Sequence, residues 1–151
     1  MKRNKNIFDK IGSLIPGYRG YAERDLRRDC DKLLRLEISS KLLNFQKKVD
    51  QEIKKLIDLK EFDELVKYES LRKKINTLAG KIEFAPYGES AFFSSNLIKE
   101  DQLEKIYEFD YEILFFIEDK MVNINSNILD CDIDKVYSLL EKRNEYVKGF
   151  V

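Results

Sequence analysis

Apolar residues recur along this chain at steps of three and four, and one run of them is unusually long. Leu26, Cys30, Leu34, Ile38, Leu42, Phe45, Val49, Ile53 and Leu56 keep that spacing without a break. The period predicts one amphipathic helix of about nine turns. Phe62, Leu65, Tyr68, Leu71, Ile75, Leu78 and Ile82 repeat the pattern and predict a second helix that ends before Pro86 and Gly88. Leu103, Ile106, Ile113, Ile117, Met121, Ile124 and Ile128, with Tyr107 and Leu114 alongside, predict a third over residues 100–128.

Two shorter segments flank these. Ile7, Phe8, Ile11, Leu14 and Ile15 form an N-terminal amphipathic stripe that Pro16 stops, and the Gly-Tyr-Arg-Gly-Tyr run at 17–21 reads as a hinge. Ile133, Val136, Leu140 and Val147 predict a short last helix over 133–148, closed by Gly149. Asp58-Leu59-Lys60-Glu61 has the form of a capping box, which places a tight reversal near 58–62. Short reversals make neighbouring helices antiparallel. The expected fold is therefore all-α: an antiparallel, coiled-coil-like bundle of three long helices with a short amphipathic N-terminal helix and a short C-terminal one. The expected organisation is an N-terminal segment, 1–16, followed by a bundle domain, 17–151.

Composition narrows the function more than the fold. The 151 residues hold 28 Lys+Arg against 28 Asp+Glu, so no net field attracts nucleic acid or an anionic membrane. There is no histidine, which removes the usual general base and the commonest metal ligand. The two cysteines, Cys30 and Cys131, are too few for a disulfide framework or a four-cysteine zinc site. They read as small buried apolar groups in a reducing compartment. No run approaches the length of a spanning helix, and the basic start lacks the form of a secretory signal. The expected location is the cytoplasm, with peripheral membrane contact as a further option. No cofactor and no metal are expected, and no Gly-rich phosphate loop or nucleophile with an identifiable base argues for an enzyme.

Two exceptions to the helical pattern are the candidate sites. The first is Asp110, an acid where the stripe between Ile106 and Ile113 calls for an apolar residue. A buried carboxylate is costly unless paired. Arg24, Arg27 and Arg28, at the same expected end of the bundle, are the candidate partners. Arg27 or Arg28 is expected to reach Asp110, with Tyr21 or Tyr87 as a further donor. The pair is either a structural bridge that fixes helix register or part of a ligand pocket; a catalytic acid is the third option. The second exception is the segment 84–98, where Phe84, Tyr87, Phe92 and Phe93 sit among Ser, Gly and Pro. So many large apolar groups should pack over one end of the bundle.

Three other features have ordinary explanations beside functional ones. Asp130, Asp132, Asp134 and Glu141 have EF-hand spacing, but the sixth position, which must be Gly, is Lys135. Arg24, Arg27, Arg28, Lys32 and Arg35 are interleaved with Asp25, Asp29 and Asp31, as on a solvated, salt-bridged face rather than a nucleic-acid surface. That face includes the i,i+4 pairs Glu23–Arg27 and Arg27–Asp31. The N-terminal stripe of Ile7, Phe8, Ile11, Leu14 and Ile15 can fold back on the bundle, dock into a protein partner or lie on a membrane.

Two stretches, GYRGYAERDLRRDCDKLLR (17–35) and IYEFDYEIL (106–114), resemble segments of small uncharacterised bacterial helical proteins that accompany membrane-stress systems with stomatin/prohibitin-like scaffolds. The resemblance covers less than a fifth of the chain and brings no activity and no catalytic residues. What it implies is a role in assembling a membrane-associated complex. The sequence as a whole favours a non-enzymatic interaction or scaffold protein, making its contacts through the N-terminal segment or the aromatic loop, with a protein partner or a second copy of itself as a homodimer. The alternative is a small-ligand sensor with a pocket at the Arg27, Arg28 and Asp110 end.

Overall fold

The long apolar run is realised as one helix. In a computed structural model, which describes residues 2–84, 91–95, 98–121 and 130–150, helix α2 spans Arg27–Asp58. It buries Cys30, Leu34, Ile38, Leu42, Phe45 and Val49 of the residues the period selected, whereas Leu26 precedes the helix and Ile53 and Leu56 are only half-buried. Helix α3, Phe62–Glu83, buries Leu71, Ile75, Leu78 and Ile82 against it. The two are antiparallel: the Ser39 hydroxyl donates to the Ala79 carbonyl at 3.1 Å, and farther along Arg72 Nε meets Asp50 at 2.5 Å.

The reversal between them is not the expected capping box. Asp58 ends α2, and Glu61 flanks α3 with no side-chain cap. Instead the Glu61 N–H donates to the Leu56 carbonyl at 3.0 Å, and the Lys60 N–H to Ile57 at 3.1 Å. This pair of bonds is the Schellman arrangement, which requires a left-handed residue after the cap. That residue is Lys60, with φ of 57°. The backbone closes the turn, so the acidic side chains are left over.

Helix α4, Glu100–Met121, and helix α5, Asp130–Lys148, are also antiparallel, since Asp110 contacts Arg143 and the rings of Phe109 and Tyr146 lie 5.8 Å apart. The α4 stripe buries Ile106, Ile113, Leu114 and Ile117. Ile124 and Ile128, expected on the same helix, fall outside the described residues, as do the side chains of residues 2–6, 121, 130 and 131. Helix α5 corrects the expectation of a short end piece. It has 19 residues against 22 for α3, and it buries Ile133, Val136, Leu139, Leu140 and Val147. It packs on both α3 and α4, so the core is built from four long helices rather than three. A Lys41–Glu118 ion pair ties α2 to α4. The described residues are helices and their connections, without strands, and no described helix is long and apolar enough to cross a membrane.

Helix α1, Lys2–Leu14, lies on α4, with the Phe8 ring edge-on to Tyr107 at 5.6 Å. Ile11 and Ile15 are completely buried in the shared core. Of the three options for the N-terminal stripe, the structure takes the fold-back. Burying those two side chains stabilises the bundle by about 1.5–3 kcal/mol each. Gly20 permits this close approach. Its φ is +80°, and a side chain there would sit 2.5 Å from both the Phe8 ring and the Tyr107 hydroxyl.

A non-glycine residue in the left-handed region costs about 1 kcal/mol. Lys60→Gly should therefore stabilise the protein by roughly 1 kcal/mol, read as a higher urea midpoint with unchanged slope. A lower midpoint would show that the Lys60 side chain contributes more than its backbone strain removes.

Candidate functional site

Asp110 is fully buried, as its place on the α4 stripe demands. Its partner is not Arg27 or Arg28. It is Arg143 of α5, also fully buried, whose Nε donates to Asp110 Oδ1 at 2.6 Å. The antiparallel packing of α5 on α4 brings position 143 level with 110, whereas the start of α2 lies nearer the loop. On the other carboxylate oxygen, Oδ2, the Tyr21 hydroxyl donates at 2.5 Å and the Tyr18 hydroxyl at 3.0 Å. Both tyrosines come from the Gly-Tyr-Arg-Gly-Tyr turn, where Gly17 and Gly20 take positive φ. Tyr21 was an expected donor; Tyr87 lies outside the described residues.

The network extends further. Arg143 Nη2 donates to the Tyr21 hydroxyl at 2.9 Å, and Nη1 lies 2.8 Å from Asp31 Oδ1 as an ion pair. Asp31 Oδ2 accepts from Arg35 Nε at 2.9 Å, and Arg35 Nη2 donates to Asn144 at 3.1 Å. Two carboxylates and two guanidiniums thus balance inside the bundle. Asp31 and Arg35 were expected on a solvated face, and instead flank the buried stripe.

Arg27 is buried as well, without an acid among the described residues. Its guanidinium donates to three carbonyls: Tyr21 at 2.7 Å through Nε, and Phe92 and Ser95 at 2.9 and 2.7 Å through Nη1. It also lies 5.6 Å from the Phe92 ring, and Arg28 lies 5.0 Å from that of Phe93. The expected Glu23–Arg27–Asp31 ladder is replaced by this clamp, which fastens residues 92–95 to the start of α2. Arg24 is largely exposed, 3.6 Å from Asp25. Phe92 and Phe93 are buried, as expected of the loop, and Phe92 packs on Tyr21 and Phe150. Phe84 departs from that expectation, because it is 79% exposed.

Electrostatics follow from burial. Desolvation pushes Asp110 above the usual carboxylate range, although Arg143 and the tyrosine hydroxyls pull it back. Its two oxygens accept from three donors, Oδ1 from Arg143 and Oδ2 from Tyr21 and Tyr18. Burial opposes ionisation of Asp31 too, yet Arg143 and Arg35 outweigh it and hold Asp31 below its ordinary value. Burial also works against charge on Arg143, but Asp110, Tyr21 and Asp31 drive its guanidinium well above the ordinary range. Arg27 is lowered by burial and by nearby Arg24. Tyr18 and Tyr21 are pushed well up, mainly by burial, and the buried Cys30 thiol is pushed up to about 12 for the same reason.

The arrangement ties α2, α4, α5 and the turn before α2 together through buried polar groups. Asp110 already accepts on both oxygens, and the nearby Cys30 thiol is held protonated by burial, pushed up to about 12. Two open grooves lie elsewhere. One of about 660 Å³ is lined by Lys99, Gln102, Glu145 and Phe150; another of about 390 Å³ is lined by Lys74, Lys81, Asp134 and Tyr137. Neither borders Asp110. The acids of the EF-hand spacing lie along continuous helix α5, with Asp134 3.2 Å from Lys74. A helix cannot wrap those positions around one ion.

Comparison of the chain with protein-family models, curated proteins and solved structures finds no match.

Two outcomes test the network. Asp110→Ala, which leaves Arg143 with one acid fewer, should cost about 3–5 kcal/mol in denaturant unfolding, and Arg143→Met at least as much because two carboxylates lose their partner. The double variant should cost clearly less than the sum; additivity would show that the pair does not act together. The second outcome concerns alkali. An unfolded chain releases thiol protons near pH 8.5 and phenol protons near pH 10, whereas the folded chain holds those of Cys30 to about pH 12. The folded state then binds more protons in that window, so stability falls as pH rises. For Cys30 alone the slope approaches about 1.4 kcal/mol per pH unit. Urea unfolding above and below this onset should show the loss, and Cys30→Ala should reduce it.

Proposed function

We propose that this chain is a non-enzymatic interaction module, a scaffold element, whose contact surface is the tip of the α2–α3 hairpin. The observation that carries the proposal is a cluster of exposed apolar side chains there. Ile57 is 50% exposed, Leu59 69%, Phe62 60% and Val66 67%. Large apolar groups left in water over two adjacent turns are the kind of exposure that calls for an explanation. The last buried residue of α2 is Val49 and the first of α3 is Leu71. The two helices therefore run on together past the core by roughly 13 Å, at 1.5 Å per residue. Ile53, Leu56, Leu65 and Tyr68 are only half-buried between them, as expected where two helices pair without a third layer. A coiled-coil-like arm fits this stretch better than it fits the four-helix core.

Much of both regions first expected to make contacts is already engaged, Phe84 excepted. Ile11 and Ile15 of the N-terminal stripe are core residues, and Ile7, Phe8 and Leu14 pack against the core. Phe92 and Phe93 are buried beside Arg27 and Arg28. At the Arg27, Arg28 and Asp110 end, Asp110 accepts on both oxygens from protein donors and Arg27 donates to three carbonyls. The membrane-stress setting implied by the resemblance of 17–35 and 106–114 is where such an arm would make its contact.

The test uses the tagged full chain and the double variant Phe62→Ser/Val66→Ser. Both should unfold with similar midpoints, because the replaced side chains are exposed. Proteins retained by the wild-type chain from a host extract, including an untagged copy of itself, should be lost by the variant. Retention of the same set by both would overturn the proposal.

A further inference from the structure

The hairpin tip carries its own complement, and we infer that its partner is a second copy of this chain, joined tip to tip across a two-fold axis. This rests on the tip being a contact surface, and goes beyond it by naming the occupant. The α2 side of the tip has a basic excess, Lys54 and Lys55 in its final turns against Asp58, and the α3 side begins with Glu61, Asp63 and Glu64. Between them stand Ile57, Leu59, Phe62 and Val66, all largely exposed. A two-fold operation lays α2 of one hairpin along α3 of the other, since an isologous interface sets each patch against the same patch turned round. Lys54 and Lys55 of one copy then face Asp63 and Glu64 of the other, twice.

Two further features favour this pairing. The end of α2 carries the negative pole of its helix dipole and the start of α3 the positive pole, so the crossed arrangement sets opposite poles together. The seam of Ile53, Leu56, Leu65 and Tyr68 is only partly covered among the described residues, and two hairpins packed together make the four-helix arrangement that would complete it. Within one chain Lys55 pairs with Glu52 at 3.3 Å and Glu64 with Lys67 at 3.2 Å. Both pairs are solvent-exposed, hold little energy, and can exchange for pairs between copies.

The experiment is sedimentation velocity on the full chain over a wide concentration range, with circular dichroism to confirm folding. The wild-type chain should be a dimer that dissociates on dilution. Phe62→Asp should sediment as a monomer. Lys54→Glu/Lys55→Glu should weaken the dimer by about tenfold or more, each change acting twice by symmetry. Adding Asp63→Lys/Glu64→Lys to that variant should restore it, because the arms are complementary again. A wild-type monomer would overturn the inference, as would a dimer that Phe62→Asp leaves intact or a charge-reversed chain that fails to recover. If the chain is monomeric and the tip still captures another protein, self-pairing fails while the interaction reading stands.

Discussion

Arg143 is the group on which the packing of the bundle depends. A guanidinium with no exposure to water must be matched by acids at fixed positions, or its burial costs several kcal/mol. Asp110 from α4 and Asp31 from α2 supply that match, and Tyr21 from the turn before α2 closes the ring. Hydrophobic contacts tolerate sliding by a turn of helix. This network does not, because a shift of one residue in α2, α4 or α5 would strand a charge. Net stability from such a cluster is small compared with an apolar core of the same volume, but the penalty for misalignment is large. The cluster therefore selects one register among several that the apolar stripes would accept.

The stripes were legible in the sequence, since burial follows the three–four spacing from Cys30 to Val49 and from Leu71 to Ile82, and on α4 at Ile106, Ile113 and Ile117; it fails at the hairpin end, where Phe62 is exposed. Asp110 was legible for the same reason: it breaks a regular stripe. Its partner could have been found by the same test. On α5, Val136, Leu140, Arg143 and Val147 step by four, three and four, so Arg143 occupies a stripe position as plainly as Asp110 does. The five cationic residues near the start of α2 stand out by their number, yet local density says nothing about which cation a helix turns inward. Asp31 and Arg35 were hidden differently. They sit one residue after Cys30 and Leu34, on the shoulder of the stripe, where a two-helix contact would leave them wet and a four-helix core covers them.

Arg27 illustrates a limit of pairing arguments. Its charge is met by three carbonyl dipoles rather than by an acid, and those carbonyls belong to irregular backbone whose course no helical period describes. The Schellman turn at Lys60 is similar, since its bonds are all between backbone groups and the acids that suggested a capping box are bystanders.

The molecule separates two kinds of residue along one helix. Its buried charges gather near the start of α2, around Asp31, and its exposed apolar groups gather at the far end, around Ile57. At 1.5 Å per residue these lie roughly 40 Å apart. A protein that only needed to be stable would have little reason to carry α2 and α3 beyond the layers that bury them. Extending the pair leaves Phe62 and Val66 in water, a cost that folding alone does not recover and that association would. The rigid end then has a consequence for the open one. By fixing the register of α2 against α4 and α5, the Arg143 network fixes the direction in which the hairpin projects, so that the tip is presented in one orientation rather than as a mobile apolar patch prone to indiscriminate contact.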